Sequence, residues 1–398
     1  MKNNRTFLEK LLNGAEVEWK PLWSITTWDK RFNAVEKEKQ PKVIKYHYYL
    51  ASELKPLIVD GGNVKLLTTN ESDIWTTEEL VQNNISEGEI IAIPWGGNPI
   101  VQYYKGKFVT ADNRIATSNN TKILDNKFLY YFLLSKLDVI SSFYRGSGIK
   151  HPSMYHVLEM LIPIPPLPVQ TEIVKILDTL TALTSELTSE LTLRRKQYEY
   201  YREKLLNIDE MNKVIELGDV GPVRMCKRIL KNQTASSGDI PFYKIGTFGK
   251  KPDAYISNEL FQEYKQKYSY PKKGDILISA SGTIGRTVIF DGENSYFQDS
   301  NIVWIDNDET LVLNKYLYHF YKIAKWGIAE GGTIQRLYND NLKKVKISIP
   351  PLKEQQRIVS ILDKFEALTN SITEGLPLAI EQSQKRYEYY RELLLSFK

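Results

Sequence analysis

The sequence predicts an α+β chain in which two globular segments alternate with two long helices, the second half repeating the plan of the first. Three observations predict it: an internal repeat, helical periodicity after each copy of a proline-rich motif, and strand-like runs between. Ile164-Pro165-Pro166-Leu167 recurs 185 residues later as Ile349-Pro350-Pro351-Leu352. The register continues through Ile176-Leu177-Asp178 and Ile361-Leu362-Asp363, then Ala182-Leu183-Thr184 and Ala367-Leu368-Thr369. Tyr198-Glu199-Tyr200-Tyr201-Arg202-Glu203 reappears unchanged from Tyr387 to Glu392, now 189 residues on. The second copy is therefore four residues longer inside.

The expected segments are 1–160, a globular part with a helical lead-in; 161–207, the first repeated helix; 208–345, the second globular part; and 346–398, the second repeated helix. From Gln170 to Leu206, Ile173, Ile176, Leu177, Leu180, Leu183, Leu187 and Leu191 fall at the three and four spacing of a helix seam. At 1.5 Å per residue this helix would run roughly 55 Å. Proline before each copy ends the preceding structure, because it lacks an N–H and restricts its predecessor. In the second copy Glu374-Gly375-Leu376-Pro377 predicts a kink or restart, with Pro377 tolerated at the start of a new helical segment. Phe7-Leu8-Glu9-Lys10-Leu11-Leu12 resembles Tyr201 to Leu206, so each globular segment has a similar helical lead-in and the chain reads as a cut ring.

The globular segments carry turn-then-strand signals, Gly88-Glu89 before Ile90 to Ile93 and Gly274-Asp275 before Ile276 to Ser279. Their later parts correspond as Gly146-Ser147-Gly148-Ile149-Lys150-His151 and Gly331-Gly332-Thr333-Ile334-Gln335-Arg336. Elsewhere they diverge. Repeats that hold two different readers apart would give this organisation.

Composition bounds the function. With 398 residues, 42% hydrophobic and 25% charged, the chain suits two or three folded domains. No apolar run approaches eighteen residues, and Glu9 and Lys10 fall where a signal peptide needs an apolar stretch, so a cytoplasmic protein without a membrane role is expected. One cysteine, Cys226, excludes an intrachain disulfide, and His47, His151, His156 and His319 lack zinc-ligand spacing, so no metal is expected. The net charge of +5 is compatible with a polyanionic partner without requiring one.

Catalytic motifs fail on inspection. Gly282-Thr283-Ile284-Gly285-Arg286-Thr287 lacks Walker A spacing and places Arg where Lys is needed. The Pro-Pro pairs are followed by Leu, unlike the Asn-Pro-Pro-Tyr or Asp-Pro-Pro-Tyr of amino-methyltransferases. Glu78-Glu79 reads as solvated surface, and no cofactor is expected.

These features resemble the specificity subunits of type I restriction-modification systems. The resemblance spans the chain and rests on the Ile-Pro-Pro-Leu motifs, Ile173 to Asp178 and Ile358 to Asp363, the helix end Gln197 to Arg202, and the opening Glu16 to Leu22. It implies two target-recognition domains, 1–160 and 208–345, each reading half of a split sequence in double-stranded DNA. It further implies that the repeated helices pack as an antiparallel coiled coil that sets the gap. The implied partners are two copies of the modification (methyltransferase) subunit and restriction (endonuclease/translocase) subunits; this chain itself is expected to be non-catalytic. Ile173, Leu177, Leu187, Leu191, Tyr198 and Tyr201, with Ile358, Leu362, Tyr387 and Tyr390, are the candidate spacer and interface positions. Thr184-Ser185-Glu186-Leu187 is repeated as Thr188-Ser189-Glu190-Leu191, a tetrad whose loss would shorten the helix by about 6 Å and turn it by only about 40°.

Base reading needs forked donors and acceptors delivered by loops, and phosphates need cations or amides. Candidate DNA-binding residues are Trp95, Gly96, Gly97 and Asn98, with Ser281, Gly282, Thr283 and Arg286, in loops after the buried strand of each segment. A second set is Arg145, Ser147, Lys150 and His151, matched by Thr333, Gln335 and Arg336. Lys105, Lys107, Lys244, Lys250 and Lys251 are candidate phosphate contacts. Tight turns and solvated charge would account for the same residues. Two other readings stay open: a fused enzyme, which needs a longer chain, and a two-lobed helical scaffold that binds protein instead of DNA.

Overall fold

The computed structural model describes residues 7–207, 212–327 and 335–397. They form two compact units, Met1–Glu186 with Ile380–Lys398, and Leu187–Ala379. The expected α+β class holds in both.

The first unit is built on a six-stranded sheet in the order Thr26–Trp28, Asn113–Ser118, Ser86–Pro94, Gln102–Thr110, Val64–Leu67, Trp75–Thr76. All its pairings are antiparallel except that between Val64–Leu67 and Gln102–Thr110. Ile90 to Ile93 are buried at the sheet centre, as a turn followed by an apolar run requires. Helix Asn126–Ser135 starts where the Asp125 carboxylate accepts from the Lys127 and Phe128 amides, and it buries Phe128, Leu129, Phe132 and Leu133. A separate antiparallel pair, Glu18–Pro21 with Leu161–Ile164, leads directly into the long helix.

The second unit divides its strands differently. One sheet runs Val223–Arg224, Ile302–Ile305, Ile276–Ser279, Thr287–Ile289; another runs Tyr255–Ile256, Ile240–Tyr243, Tyr296–Phe297. The four-stranded sheet sends Ile276, Ile278, Val303 and Ile305 into a buried cluster around Tyr316, Leu317 and Leu362, and Leu277, Ile302 and Trp304 into a second one that it shares with Phe242 and Tyr296 of the three-stranded sheet. The pair before the second repeated helix is Lys213–Glu216 with Lys346–Ile349, and Lys213 faces Ile349 as Glu18 faces Ile164.

The repeat therefore extends to bonds. Gln170 is fully buried; its Nε2 donates to the Ile123 and Pro165 carbonyls, and its Oε1 accepts from Asp125 N. Gln355, also fully buried, donates to the Leu311 and Pro350 carbonyls and accepts from Leu313 N. Each glutamine fastens a helix start to the loop before a neighbouring helix, satisfying groups that would be costly to bury unpaired.

The first repeated helix runs unbroken from Leu167 to Leu206, 40 residues or about 60 Å. The second is interrupted where expected: Leu352–Asn370 ends and Gly375–Leu395 restarts, with Pro377 in its first turn. Gly375 has φ +76°, and a Cβ there would lie 2.5 Å from the Ala367 carbonyl oxygen, so only glycine fits the break. In the first unit Leu177 shares a core with Leu394, while Thr184 Oγ1 and Ser383 Oγ lie 2.8 Å apart; the two helices run antiparallel there. In the second, Arg195 reaches the Thr369 carbonyl at 3.5 Å, and Tyr198 and Tyr201 stack on Phe365, again antiparallel. Leu8 from the amino-terminal helix Phe7–Leu12 joins Leu394 and Leu395 in one core, so both ends of the chain meet in the first unit. No helix among the described residues is long and apolar enough to cross a membrane.

Candidate nucleic-acid interface

In the first unit the two candidate loops are bonded together. Strand Ser86–Pro94 ends at Pro94, and Trp95 N donates to the Asp112 carbonyl at 2.9 Å. Gly97 takes φ +98°, and its amide donates to the Lys150 carbonyl at 3.1 Å. His151 Nδ1 donates to the Trp95 carbonyl at 2.7 Å, with the two rings 5.3 Å apart. Arg145 pairs with His151 across a short hairpin, leaving Asn98, Arg145, Ser147, Lys150 and His151 exposed. A Cβ on Gly96 would come within 2.9 Å of Ile149 and 3.1 Å of His151, so the loops approach as closely as glycine allows.

Beneath this surface lies a buried charge cluster that the sequence reading missed. The Arg114 guanidinium sits 4.5 Å from the Trp95 ring centroid and pairs with Asp29 at 3.3 Å and Asp112 at 2.5 Å. Tyr48 donates its hydroxyl to Asp29, and Lys30 stands 5.3 Å from the Trp95 ring. Burial pushes the Asp29 carboxyl above its ordinary value, outweighing the hydrogen bond from Tyr48 and the charge of Arg114. Desolvation makes such a pair a poor stabiliser, and here it fixes the indole on which the loop is built.

The second unit repeats the arrangement. Ser281 forms an antiparallel bridge with Arg336, Gly282 N donates to the Gln335 carbonyl at 3.3 Å, and Leu337 N donates to the Ala280 carbonyl at 2.8 Å. Gly282 lies at φ +65°. The Arg286 amide donates to Ser279 Oγ and its Nη1 to the Phe248 carbonyl, so this side chain is partly held against the fold. Thr283 is exposed, and its carbonyl accepts from Ser279 Oγ. Thr333 lies outside the described residues. Beside this loop pair is a cleft of about 560 Å³ whose lining includes Arg228, Lys231, Lys244, Arg336, Gln298 and Asn301. Of these, Arg228, Lys231, Gln298 and Asn301 were not singled out from sequence; the basic run Lys227-Arg228 and Lys231 was the available signal.

Other candidates stand elsewhere. Lys105 pairs with Glu89 at 3.5 Å and Lys107 with Glu78 at 2.9 Å. Glu89 lies six residues before Trp95 on an extended strand, about 20 Å away, so these lysines are not gathered with the loops. Lys244 pairs with Asp253 at 2.8 Å, and Lys250 and Lys251 are exposed just beyond it. On the helices, Ile173, Leu177, Ile358 and Leu362 are buried, Tyr198 is buried, Tyr387 and Tyr390 pack on the first core, and Tyr201 is exposed. Leu187 and Leu191 are only half-buried and join none of the buried clusters among the described residues. Their stretch of helix is lined by threonine, serine and glutamate, which offer little apolar surface to close over them.

Among the described residues one group has metal-like spacing: His319, Asp363 and Glu366, with ligand atoms within 4.8 Å of one another. Lys322 already pairs with Glu366 at 2.6 Å and Lys315 with Asp363 at 3.2 Å, and Tyr318 donates to Glu366. These bonds make it an ion-pair network between two helices. Burial pushes the Cys226 thiol up to about 12, which leaves it protonated and unsuited to nucleophilic attack.

Comparison with known proteins gives the class. The family described as type I restriction modification DNA specificity domain matches residues 33–193 and again 209–382. A putative type I restriction enzyme specificity subunit of Haemophilus influenzae is 68% identical over the whole of both chains. A type I restriction enzyme specificity subunit of Escherichia coli is 33% identical, covering 98% of this chain and 97% of that one. The crystal structure of the S subunit from M. genitalium superposes with a TM-score of 0.55 at 16% identity, covering 96% of each chain, and so shares the fold. The chain belongs to the type I restriction-modification specificity-subunit family. It is a specificity subunit with two target-recognition domains and no catalytic step of its own, as the resemblance implied; a protein-binding scaffold is not favoured.

Proposed function

We propose that the domains at 1–160 and 208–345 each read one half of a bipartite site in double-stranded DNA, and that the helices at 161–207 and 346–398 fix the gap between the halves. The observation that carries this reading is the recurrence of one loop pair in both units, Gly97 N to Lys150 O and Gly282 N to Gln335 O. Matched scaffolds with unlike exposed side chains, Arg145, Lys150 and His151 against Gln335 and Arg336, suit two readers of different half-sites. Lys250 and Lys251, both exposed, supply phosphate affinity.

The chemistry then falls to partners in the cytoplasm: two copies of the adenine-methylating modification subunit, joined by restriction subunits. Tyr200 and Tyr389, equivalent in the repeat and 58% and 62% exposed, offer the same aromatic surface twice, which supports two copies. The test is a pair of variant complexes with the modification subunit, Lys150→Ala with His151→Ala, and Arg336→Ala. Mapped methylated adenines should show relaxed preference in one half of the motif for the first and in the other half for the second. Both acting on the same half would refute the division.

A further inference from the structure

The cleft of the second unit is rich in hydrogen-bond donors, and two of them come from amide side chains held in one orientation. Gln298 N donates to the Tyr243 carbonyl at 2.9 Å, while its side-chain Oε1 accepts from Ile245 N at 3.0 Å. A backbone amide only donates, so the oxygen of Gln298 must face Ile245 and the NH₂ group is turned away from it. Asn301 Oδ1 accepts from Ser281 Oγ at 2.8 Å, with the hydroxyl as the donor. Among the described residues neither NH₂ group has a partner.

The segment between them is shaped for this. Ser300 adopts φ +60°, a left-handed conformation uncommon for a residue with a side chain, and Asn301 N donates to the Asp299 carbonyl at 2.7 Å. Arg228, Lys231 and Arg336 line the same cleft and have no ion-pair partner among the described residues. Among the described residues Asp299 is its one acidic lining side chain.

Free amide side chains read adenine by giving one donor and one acceptor, to N7 and N6. Each oxygen already accepts a hydrogen bond inside the protein, so Gln298 and Asn301 turn their NH₂ donors outward and do not present the donor and acceptor side by side that adenine takes. What remains complementary is an edge of acceptors alone. Guanine presents two, N7 and O6, and the forked donors of Arg336 favour the same edge. We propose that Gln298 and Asn301 are specificity-determining residues of the second recognition domain and that they select guanine in the half-site it reads. The proposal rests on the reading of the chain as a two-domain DNA reader.

The test is Gln298→Glu in the complex with the modification subunit. This substitution keeps an oxygen for Ile245 N and replaces the outward donor with an acceptor. Mapped methylation should lose preference for guanine at one position by about tenfold or more, or shift there toward cytosine, whose N4 donates. The other half-site and the gap should be unchanged. Asn301→Asp is the second variant, expected to act in the same half, and melting temperatures check that both fold. An active Gln298→Glu complex with the unaltered motif would overturn the proposal while leaving the two-domain reading intact. A change confined to the half that Lys150→Ala alters would overturn it too. If the unmutated complex yields no two-part motif, the underlying reading fails instead.

Discussion

Gly97 and Lys150 are joined by a backbone hydrogen bond of 3.1 Å that links two loops 53 positions apart, and Gly282 and Gln335 repeat that link in the second unit. The bond forms because Gly97 accepts φ +98° and Gly96 lets Ile149 and His151 approach. Replacing Gly96 by Val would force these loops apart. The expected result is a complex that still assembles but whose methylated motif becomes degenerate in one half. A sharp two-part motif from Gly96→Val would show that this contact does not position the readers.

Deleting Thr188 to Leu191 removes one turn of the helix Leu167–Leu206 while nearly preserving its face, since four residues come within about 40° of a full turn. The half-buried state of Leu187 and Leu191 makes the loss tolerable. The gap between half-sites should change by up to about two base pairs, with both half-sites kept. Altered half-sites, or an unaltered gap in an active complex, would count against the helix as the spacer.

Gln170→Ala and Gln355→Ala each remove the side-chain partner of three backbone groups, two carbonyls and one amide, of which the Pro165 and Pro350 carbonyls are buried. Each should cost about 2–4 kcal/mol in urea unfolding. Losses under about 0.5 kcal/mol would mean that water replaces the side chain easily.

These glutamines also show how much was legible in the sequence. The repeat is visible because packing along the helices and at their proline-rich starts constrains residue type, as at Leu177 and Leu362. Helix existence, the break before Gly375 and the matched positions of the candidate loops in the two halves follow from that pattern; that the loops bond to each other does not. Gln170 and Gln355 stand in the repeat too, yet a lone polar residue in an amphipathic helix reads as surface until its carbonyl partners are seen. The Asp29, Arg114 and Trp95 cluster was illegible for another reason: its members are far apart in sequence and have no equivalents in the second half, where Ile302 pairs with Ser279 as Arg114 pairs with Ile93. Lys105 and Lys107 were placed among phosphate contacts on charge alone, and strand register turned them toward Glu89 and Glu78 instead.

Salt dependence separates these cations. Lys250→Ala and Lys251→Ala should each lower the slope of log affinity against log salt by about 0.9 for duplex DNA. Lys105→Ala, which breaks an exposed pair with Glu89, should leave the slope within error. A slope that falls equally for Lys105→Ala would place DNA across that face of the sheet.

His319 supplies a pH dependence whose sign is fixed. Burial holds its imidazole below 6.5, despite the hydrogen bond to Asp363 that favours the charged form. The unfolded chain therefore takes up a proton at a pH where the folded chain does not, and stability falls as pH drops below about 6.5. Melting temperature should decline between about pH 7.5 and 5.5, and His319→Gln should flatten the decline. Parallel curves for the two proteins would locate the effect elsewhere.

The most direct measurement is a map of methylated adenines in DNA modified by this chain together with its modification subunit. One motif of two specified halves separated by a constant gap is the predicted result, and it would yield both half-sites at once. A single contiguous motif, or methylation without sequence preference from a stable complex, would contradict the assignment of one half-site to each recognition domain.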